Sequence, residues 1–549
     1  TDTRIDDQPV RVEVLVREEI EEKMLMTPGD IVMMLNEMGG MRVQATSPAL
    51  GAASVRIQGM RGRYTRVLSD GLPLFGEQPS GIGLLQIPPM DLGQVEVIKG
   101  VASALYGAGA MGGVIDLISR KPGEAPEAEV LLNQSTRGGT DGVLWYSSPL
   151  PAGWGVTFLG GGHFQRRTDV NDDDWADLPR YARGVFRPRL FWEDGRGGSF
   201  FSTVGVTTES REGGTMDPGG PLDYRTGRGE ALDTLRVDGG FVGRTLVGGQ
   251  YVLTARGAAA RQRHEHRFGD ITEHDRHLTM FGEVALRGAI GRHTWVAGAA
   301  VERDSYTAPD TPAHEYAFTV PGVFLQDEIA ITPWWGLSAS ARADRHSRYG
   351  WFVSPRVSSL VRGGGWTSRA SFGTGFFGPT SLTEETEAAG LYRLEVPEGL
   401  AAERGRSFSL DLTRAAGPLS ATATFFRSSI RHPIHVEREH RYALVNLEEP
   451  TTNTGVELLG TFRHAPFALT GSYTYVRARE THAGREVDVP LTPRHSAGIV
   501  AMAESEDAGR IGLELYYTGR QRLDADPYRA HSRPYLIVGL LVERRVGRF

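Results

Sequence analysis

Hydrophobic and polar residues follow two different rhythms along this chain, and the change falls near residue 122. In the first stretch, alternation and helical spacing interchange over short distances. Val10, Val12, Val14 and Val16 interleave with Arg11, Glu13 and Leu15, a period of two that predicts a strand. Thr27-Pro28-Gly29-Asp30 carries the marks of a helix start: an N-cap, a proline at the first helical position, and aspartate in the capping-box slot. Ile31, Met34, Leu35 and Met38 then recur at helical spacing, and Gly39-Gly40 closes the helix. Residues 55–62 and 67–73 read as further strand segments, with Asp70-Gly71 as a hairpin turn. Val95-Glu96-Val97-Ile98 and residues 114–118 predict two more strands, joined by a segment rich in glycine.

Beyond residue 122 the alternation becomes uniform. Leu337, Ala339, Ala341 and Ala343 interleave with Ser338, Ser340, Arg342 and Asp344, and Ile511, Leu513, Leu515 and Tyr517 interleave with Gly512, Glu514, Tyr516 and Thr518. One face is apolar and the other polar, as expected of strands with lipid outside and water inside. Polar, mostly long connections near 134–142, 166–182, 211–228, 263–276, 304–316, 346–350, 375–405, 429–452, 479–490 and 520–533 alternate with short turns such as Pro151-Ala152-Gly153, Gly291-Arg292 and Thr332-Pro333. Long loops at one end and short turns at the other are the habit of outer-membrane barrels, and the spacing predicts about 20 strands.

Composition narrows this picture. The 549 residues include 70 glycines and no cysteine, and the net charge of −7 argues against a nucleic-acid partner. No stretch approaches the roughly 18 to 20 apolar residues of a spanning helix. A closed barrel crosses a membrane without one, because closure pairs every backbone group.

The glycine-rich segment carries neither the Walker nor the dinucleotide spacing, so it is not read as a phosphate cradle. Val95-Glu96-Val97-Ile98-Lys99-Gly100, Ser103, Leu105-Tyr106-Gly107, Ala110, Gly112-Gly113-Val114-Ile115 and Leu117 instead resemble the end of the plug domain of TonB-dependent outer-membrane receptors. Residues 56–59 and 68–73 resemble that family's plug strands, and Gly375-Phe376-Phe377-Gly378-Pro379, Asn453-Thr454-Gly455 and Gly471-Ser472-Tyr473 resemble its barrel. The resemblance implies a transmembrane β-barrel of the 22-stranded type with an N-terminal α/β plug in its lumen: residues 1–122 as plug, 123–549 as barrel. Against about 22 strands, the count of about 20 implies a further hairpin beyond Phe549, and the charged Arg544, Arg545 and Arg548 are unlike a closing strand. No TonB box is recognisable near Thr1, which suggests trimming at the front as well.

The resemblance also implies a function: energised import of a scarce ligand across the outer membrane of a Gram-negative bacterium, driven by TonB and its inner-membrane complex. A ferric siderophore or cobalamin leads; a copper complex, or a receptor that signals or adheres without transport, is the alternative. The loops at 46–51 and 75–80 correspond to the family's plug apex, so Ser47, Leu50, Phe75, Glu77 and Gln78 are the candidate ligand contacts. Arg56, Arg61, Glu96 and Lys99 are charges on a domain bound for a lumen, and are read as plug–barrel anchors.

Three clusters remain. Seven of the twelve methionines lie between Met24 and Met60, where thioethers would suit Cu(I) or simply fill a core. Asp169, Asn171 and Asp173 place oxygens at positions one, three and five, like the start of a calcium loop, but the turn glycine at six is missing. His264, His266, His274 and His277 lie with Glu265, Glu273 and Asp275 in one segment that zinc or copper would suit. No cofactor is required by any of these, and no nucleophile–base pair or paired-carboxylate site points to an enzyme.

Overall fold

The computed structural model of the protein describes residues 9–26, 29–36, 38–47, 50, 52–74, 87–216, 229–387, 390–396, 399–438, 442–482, 484–505, 509–523 and 528–544. The N-terminal domain comprises β1 (Val12–Val16), α1 (Arg17–Met26), α2 (Val32–Asn36), β2 (Met41–Ser47), β3 (Ala52–Ile57), β4 (Thr65–Ser69), β5 (Leu92–Lys99), α3 (Ser103–Tyr106) and β6 (Gly113–Ser119). Its main sheet has the order β1-β5-β6-β4, with β4 parallel to β6 and the other pairs antiparallel, while β2 and β3 form a separate hairpin.

The local chemistry explains several of these elements. Asp70 (φ 53°) and Gly71 (φ 75°) both adopt left-handed backbone, the requirement of a type I′ hairpin turn, and Ser69 and Leu72 exchange two 2.9 Å backbone hydrogen bonds across it. Gly113 lets β5 and β6 close: a Cβ there would collide with the Ile98 carbonyl oxygen. The second helix begins later than its sequence signals suggest. Asp30 accepts the Val32 N–H at 2.9 Å, so aspartate caps α2, whereas Thr27 and Pro28 lie outside the described residues. The first helix carries no broad apolar stripe; Ile20 and Met24, one turn apart, are its buried contacts.

Ile31, Leu35, Ile57, Val95 and Ile115 form the solvent-free centre of this domain. Its methionines are divided among three apolar clusters: Met34 and Met41 in that centre, Met24 and Met90 against Trp145, and Met60 and Met111 beside Tyr64. That is how packing residues are distributed, and among the described residues these methionines share no common centre for a soft metal.

Residues from Glu127 onward build one antiparallel sheet curved into a barrel around this domain. Of its 21 strands, Arg485–Asp488 only folds back on the end of Phe467–His482, leaving twenty long ones among the described residues. The last, Tyr535–Arg544, stands next to the first, Glu127–Gln134, in the strand order, but no register joins them among the described residues, whereas the other neighbouring long strands are laddered. Leu132 and Leu540 are correspondingly the most open apolar side chains of those two strands. No helix among the described residues is long and apolar enough to cross a membrane; the strands do so.

The alternating connections hold with corrections: 134–142 closes to a turn at 135–138 and 479–490 is mostly paired strand, while most of 211–228 lies outside the described residues. The 263–276 segment is not a loop: Tyr251–Phe268 and Ile271–Ile290 stay paired up to Phe268 and Ile271, leaving Gly269 and Asp270 as the turn. Above the lipid both faces of a strand meet water, so the ladder continues there with polar residues on either side. Two connections are long and structured. Residues 378–402 and 432–450 contribute a three-stranded sheet of Leu394–Glu395, Tyr442–Asn446 and Ile434–Arg438 at the outer rim.

Candidate functional site: the seat of the plug and the hollow above it

The first domain is held in the bore by buried charge. Arg56 reaches Glu384 at 2.5 Å and the Pro490 carbonyl at 2.6 Å, and Glu384 also accepts the Ser54 hydroxyl and the Gly62 N–H. Arg61 pairs with Glu480 at 3.2 Å. Arg63 meets Glu403 at 3.1 Å, a carboxylate that also accepts the Tyr64 hydroxyl at 2.5 Å and the Ile434 N–H at 2.7 Å. Glu384, Glu403 and Glu480 lie in the long 378–402 connection or near strand ends adjoining long connections, so this tier faces outward. Deeper in the lumen, Lys99 bridges Glu13 at 2.9 Å and Glu457 at 2.8 Å, and Arg11 reaches Asp411 at 2.8 Å. The wall answers in kind: Arg189 reaches down to Asp91 at 2.5 Å, and Arg256 donates to the Gly71 carbonyl at 2.8 Å.

Pairs this deeply buried roughly break even in energy. Removing one partner, however, strands a charge at about 3–5 kcal/mol. The seat is therefore specific rather than sticky, and it can be undone by whatever replaces a partner. Burial alone would lower the Lys99 pKa; Glu13 and Glu457 more than offset this and hold it raised. Asp116, buried in β6, is pushed up to about 7 by its desolvation, with Asp70 and Glu96 adding repulsion against the Gly71 N–H that favours its charge.

Above the seat a small, partly open hollow with a cavity volume of about 60 Å³ separates Ala108 and Gly109 of the first domain from Phe318, His346 and Phe377 of the wall. Rings continue along that wall: Tyr306 to Tyr316 at 5.7 Å, Tyr316 to Phe318 at 4.7 Å, Phe318 to His346 at 4.7 Å, and Phe352 stacked on Phe376 at 3.8 Å. Of the charged groups lining it, Arg66 pairs with Glu302 at 2.8 Å and Asp304 with His277 behind it, while Arg303 is exposed. Leu391, Leu394, Ile434, Val436 and Leu444 of the two long connections pack on Tyr306. Glu273 fastens one of them by accepting the N–H groups of Leu391 and Tyr392 at 3.0 and 2.7 Å. The arrangement offers ring faces and few uncompensated charges.

The predicted residues are distributed unevenly over this site. Arg56, Arg61 and Lys99 sit in the seat as described. Glu96 does not: it accepts from Gln94 at 2.7 Å within β5, an exchange internal to the domain, because its strand lies in the middle of the main sheet. Leu50 is not open to a ligand either; it is 1% exposed, packs on Leu232, and its carbonyl accepts from Arg211 at 2.9 Å, so the turn presses on the wall. Ser47 ends β2, and Phe75, Glu77 and Gln78 lie outside the described residues. Asp169 uses its carboxylate on the N–H groups of Asn171, Asp172 and Asp174 at 2.8–3.1 Å, and Asp173 accepts from Trp175. The four histidines of the 264–277 segment face four different carboxylates, Asp275, Glu230, Asp310 and Asp304, rather than one centre. What the sequence did not reveal are the anchoring partners Glu384, Glu403 and Glu480; their pairs span hundreds of residues and no local spacing announces them.

A lipid-facing cylinder with an α/β stopper ion-paired inside it is matched along nearly its whole length by known families. The TonB-dependent receptor plug domain matches residues 4–114, and the TonB-dependent receptor-like β-barrel matches residues 130–546. An iron-regulated outer membrane virulence protein of Vibrio cholerae is 23% identical over 565 aligned positions, covering 94% of this chain and 83% of its own. The ferrioxamine receptor of Yersinia enterocolitica is 26% identical over 193 residues, 34% of this chain and 26% of that one. The crystal structure of the ferric enterobactin receptor of Pseudomonas aeruginosa superposes with a TM-score of 0.78 at 17% identity, over 98% of this chain and 90% of that one, which shows the shared fold. The chain belongs to the TonB-dependent receptor family, whose members are receptors and transporters rather than enzymes, and it resides in the outer membrane.

Proposed function

We propose that the protein imports a compact metal chelate of low net charge, a ferric siderophore, and that TonB and its inner-membrane complex supply the work. The observation that carries this reading is the hollow between plug and wall, which is lined by aromatic rings. Three of its charged groups, Arg66, Glu302 and Asp304, are already held in ion pairs, leaving the exposed Arg303 as the one cation among the described lining residues that a modestly charged ligand would meet. Such a surface rewards flat, polarisable ligand groups and gives little to a multiply charged anion, which would have to break those pairs. A hydroxamate chelate of iron fits this description better than a triply charged catecholate. The ferrioxamine receptor and the iron-regulated protein among the relatives support iron as the cargo. A wide lumen leaks unless it is blocked, so passage past the seated plug needs an outside source of work, which TonB provides in this family.

The test is uptake of radiolabelled iron carried by hydroxamate or catecholate chelators, in cells with and without an energised inner membrane. Hydroxamate-dependent accumulation that vanishes on de-energising supports the reading. Surface binding without accumulation would make the protein a signalling or adhesion receptor, and accumulation of a corrinoid instead of iron would replace the cargo.

A further inference from the structure

Among the described residues, one group of three metal-ligating side chains converges, and it lies apart from the hollow. It consists of His435 from the 432–450 connection with Glu480 and His482 from the outer end of the Phe467–His482 strand. One ligand atom from each lies within 4.8 Å of the others. The two imidazole rings meet edge to face with centroids 4.2 Å apart. Glu480 is buried, whereas both histidines are half-buried.

His482 Nε2 and Glu480 Oε1 already stand 2.8 Å apart as an ion pair, so the fold itself brings two of the three ligands together. The other carboxylate oxygen, Oε2, is engaged by Arg61 of the plug at 3.2 Å, and Arg522 stands 3.7 Å from Oε1.

We infer that His435, Glu480 and His482 form a site for a divalent first-row transition ion of the zinc class, which would clasp the 432–450 connection to the barrel rim. Two imidazoles and one carboxylate with an open fourth position are a common zinc donor set. With bonds of roughly 2.0–2.1 Å, tetrahedral ligands stand about 3.3 Å apart, so the 2.8 Å pair opens slightly as the wider contact closes. Two imidazoles with a single carboxylate suit zinc rather than calcium or magnesium, which would need several carboxylates. Glu480 would then share its two oxygens between the ion and the plug anchor, so the metal and the seat of the plug meet in one carboxylate.

Zinc is titrated into the purified full-length chain in detergent micelles, in competition with a chromogenic chelator. We expect a single equivalent to bind, weakened by roughly 10-fold or more in His435→Ala and in His482→Gln, and unchanged in His274→Ala, whose ring pairs with Asp310 well away from the cluster. His435 lies on a connection rather than in the wall, and gel heat-modifiability establishes that each variant barrel is folded. Failure of the intact chain to compete with the chelator overturns the inference, and so does zinc binding that survives both His435→Ala and His482→Gln.

Discussion

Plug and barrel obey one rule in opposite senses. In the plug, Ile31, Leu35, Val95 and Ile115 are inside and the charges surround them. In the wall, Val323 and Leu325 are more than half exposed, while Arg187, Arg236 and Asp238 are buried facing the lumen. The barrel puts its apolar side toward lipid and its polar side toward the plug, so the plug's charged rind meets a charged lining. The difference teaches where adhesion comes from. Apolar burial holds each part together, and placed ion pairs hold one part in the other.

The sharpest way to break this comparison is to remove one partner from the seat. Glu403→Ala leaves Arg63, the Tyr64 hydroxyl and the Ile434 N–H without their common acceptor. The plug should lose about 3–5 kcal/mol of its docking. Calorimetry of the purified protein should show the plug transition falling while the barrel transition stays. A parallel fall in both would mean that the seat belongs to the barrel's own stability.

Truncations on the two apolar sides sharpen the contrast. Ile115→Ala opens a cavity in a close-packed centre and should cost about 2–5 kcal/mol. Leu325→Ala on the lipid face should cost less, since fluid acyl chains fill the space and the cavity contribution is missing. Denaturant titration of each variant in lipid vesicles measures the pair. Equal losses would show that the outer face is packed like a core.

A smaller effect separates the parts by pH. Asp116 has its pKa raised to about 7, so folding favours its protonated form. Its stabilising contribution is therefore fully present below the ordinary carboxylate pKa of about 4 and is lost as pH rises through about 7. Asp116→Asn fixes the neutral form and keeps an acceptor for the Gly71 N–H. The variant's plug transition should vary less with pH over that window than the parent's, and an unchanged pH profile would refute the assignment.

The smallest expected change is local. Asp169→Ala deprives three backbone N–H groups of their acceptor, which should cost about 1 kcal/mol. It should be visible as faster amide exchange at Asn171, Asp172 and Asp174, with no change in the plug. Slower exchange there would assign the turn's order to another contact.

These contrasts also explain what the sequence could and could not say. Strands such as 337–344 were legible because alternation reports two solvents at once, and the Asp70-Gly71 turn because its backbone admits few other residues. Helix α1 was not, since among its described side chains only Ile20 and Met24 are buried, and the preceding valines mask its start. The 263–276 segment looked like a loop because hydropathy stops alternating where lipid ends, although pairing continues. Arg56, Arg61 and Lys99 could be named as anchors from charge on a domain bound for a lumen. Their acceptors Glu384, Glu480 and Glu457 could not, because only the closed fold brings them near, and the same distance hid His435 from His482.

The central claim is that the N-terminal domain sits in the bore, and a covalent ruler tests it most directly. The Cβ of a residue placed at Gly39 would lie 3.9 Å from the Ser472 Cβ on the wall, within the spacing of a disulfide. The chain contains no other cysteine to confuse the result. In oxidised outer membranes Gly39→Cys with Ser472→Cys should cross-link within a single chain, seen as one joined peptide after proteolysis. Two free thiols in a folded barrel would place the domain elsewhere and contradict the account.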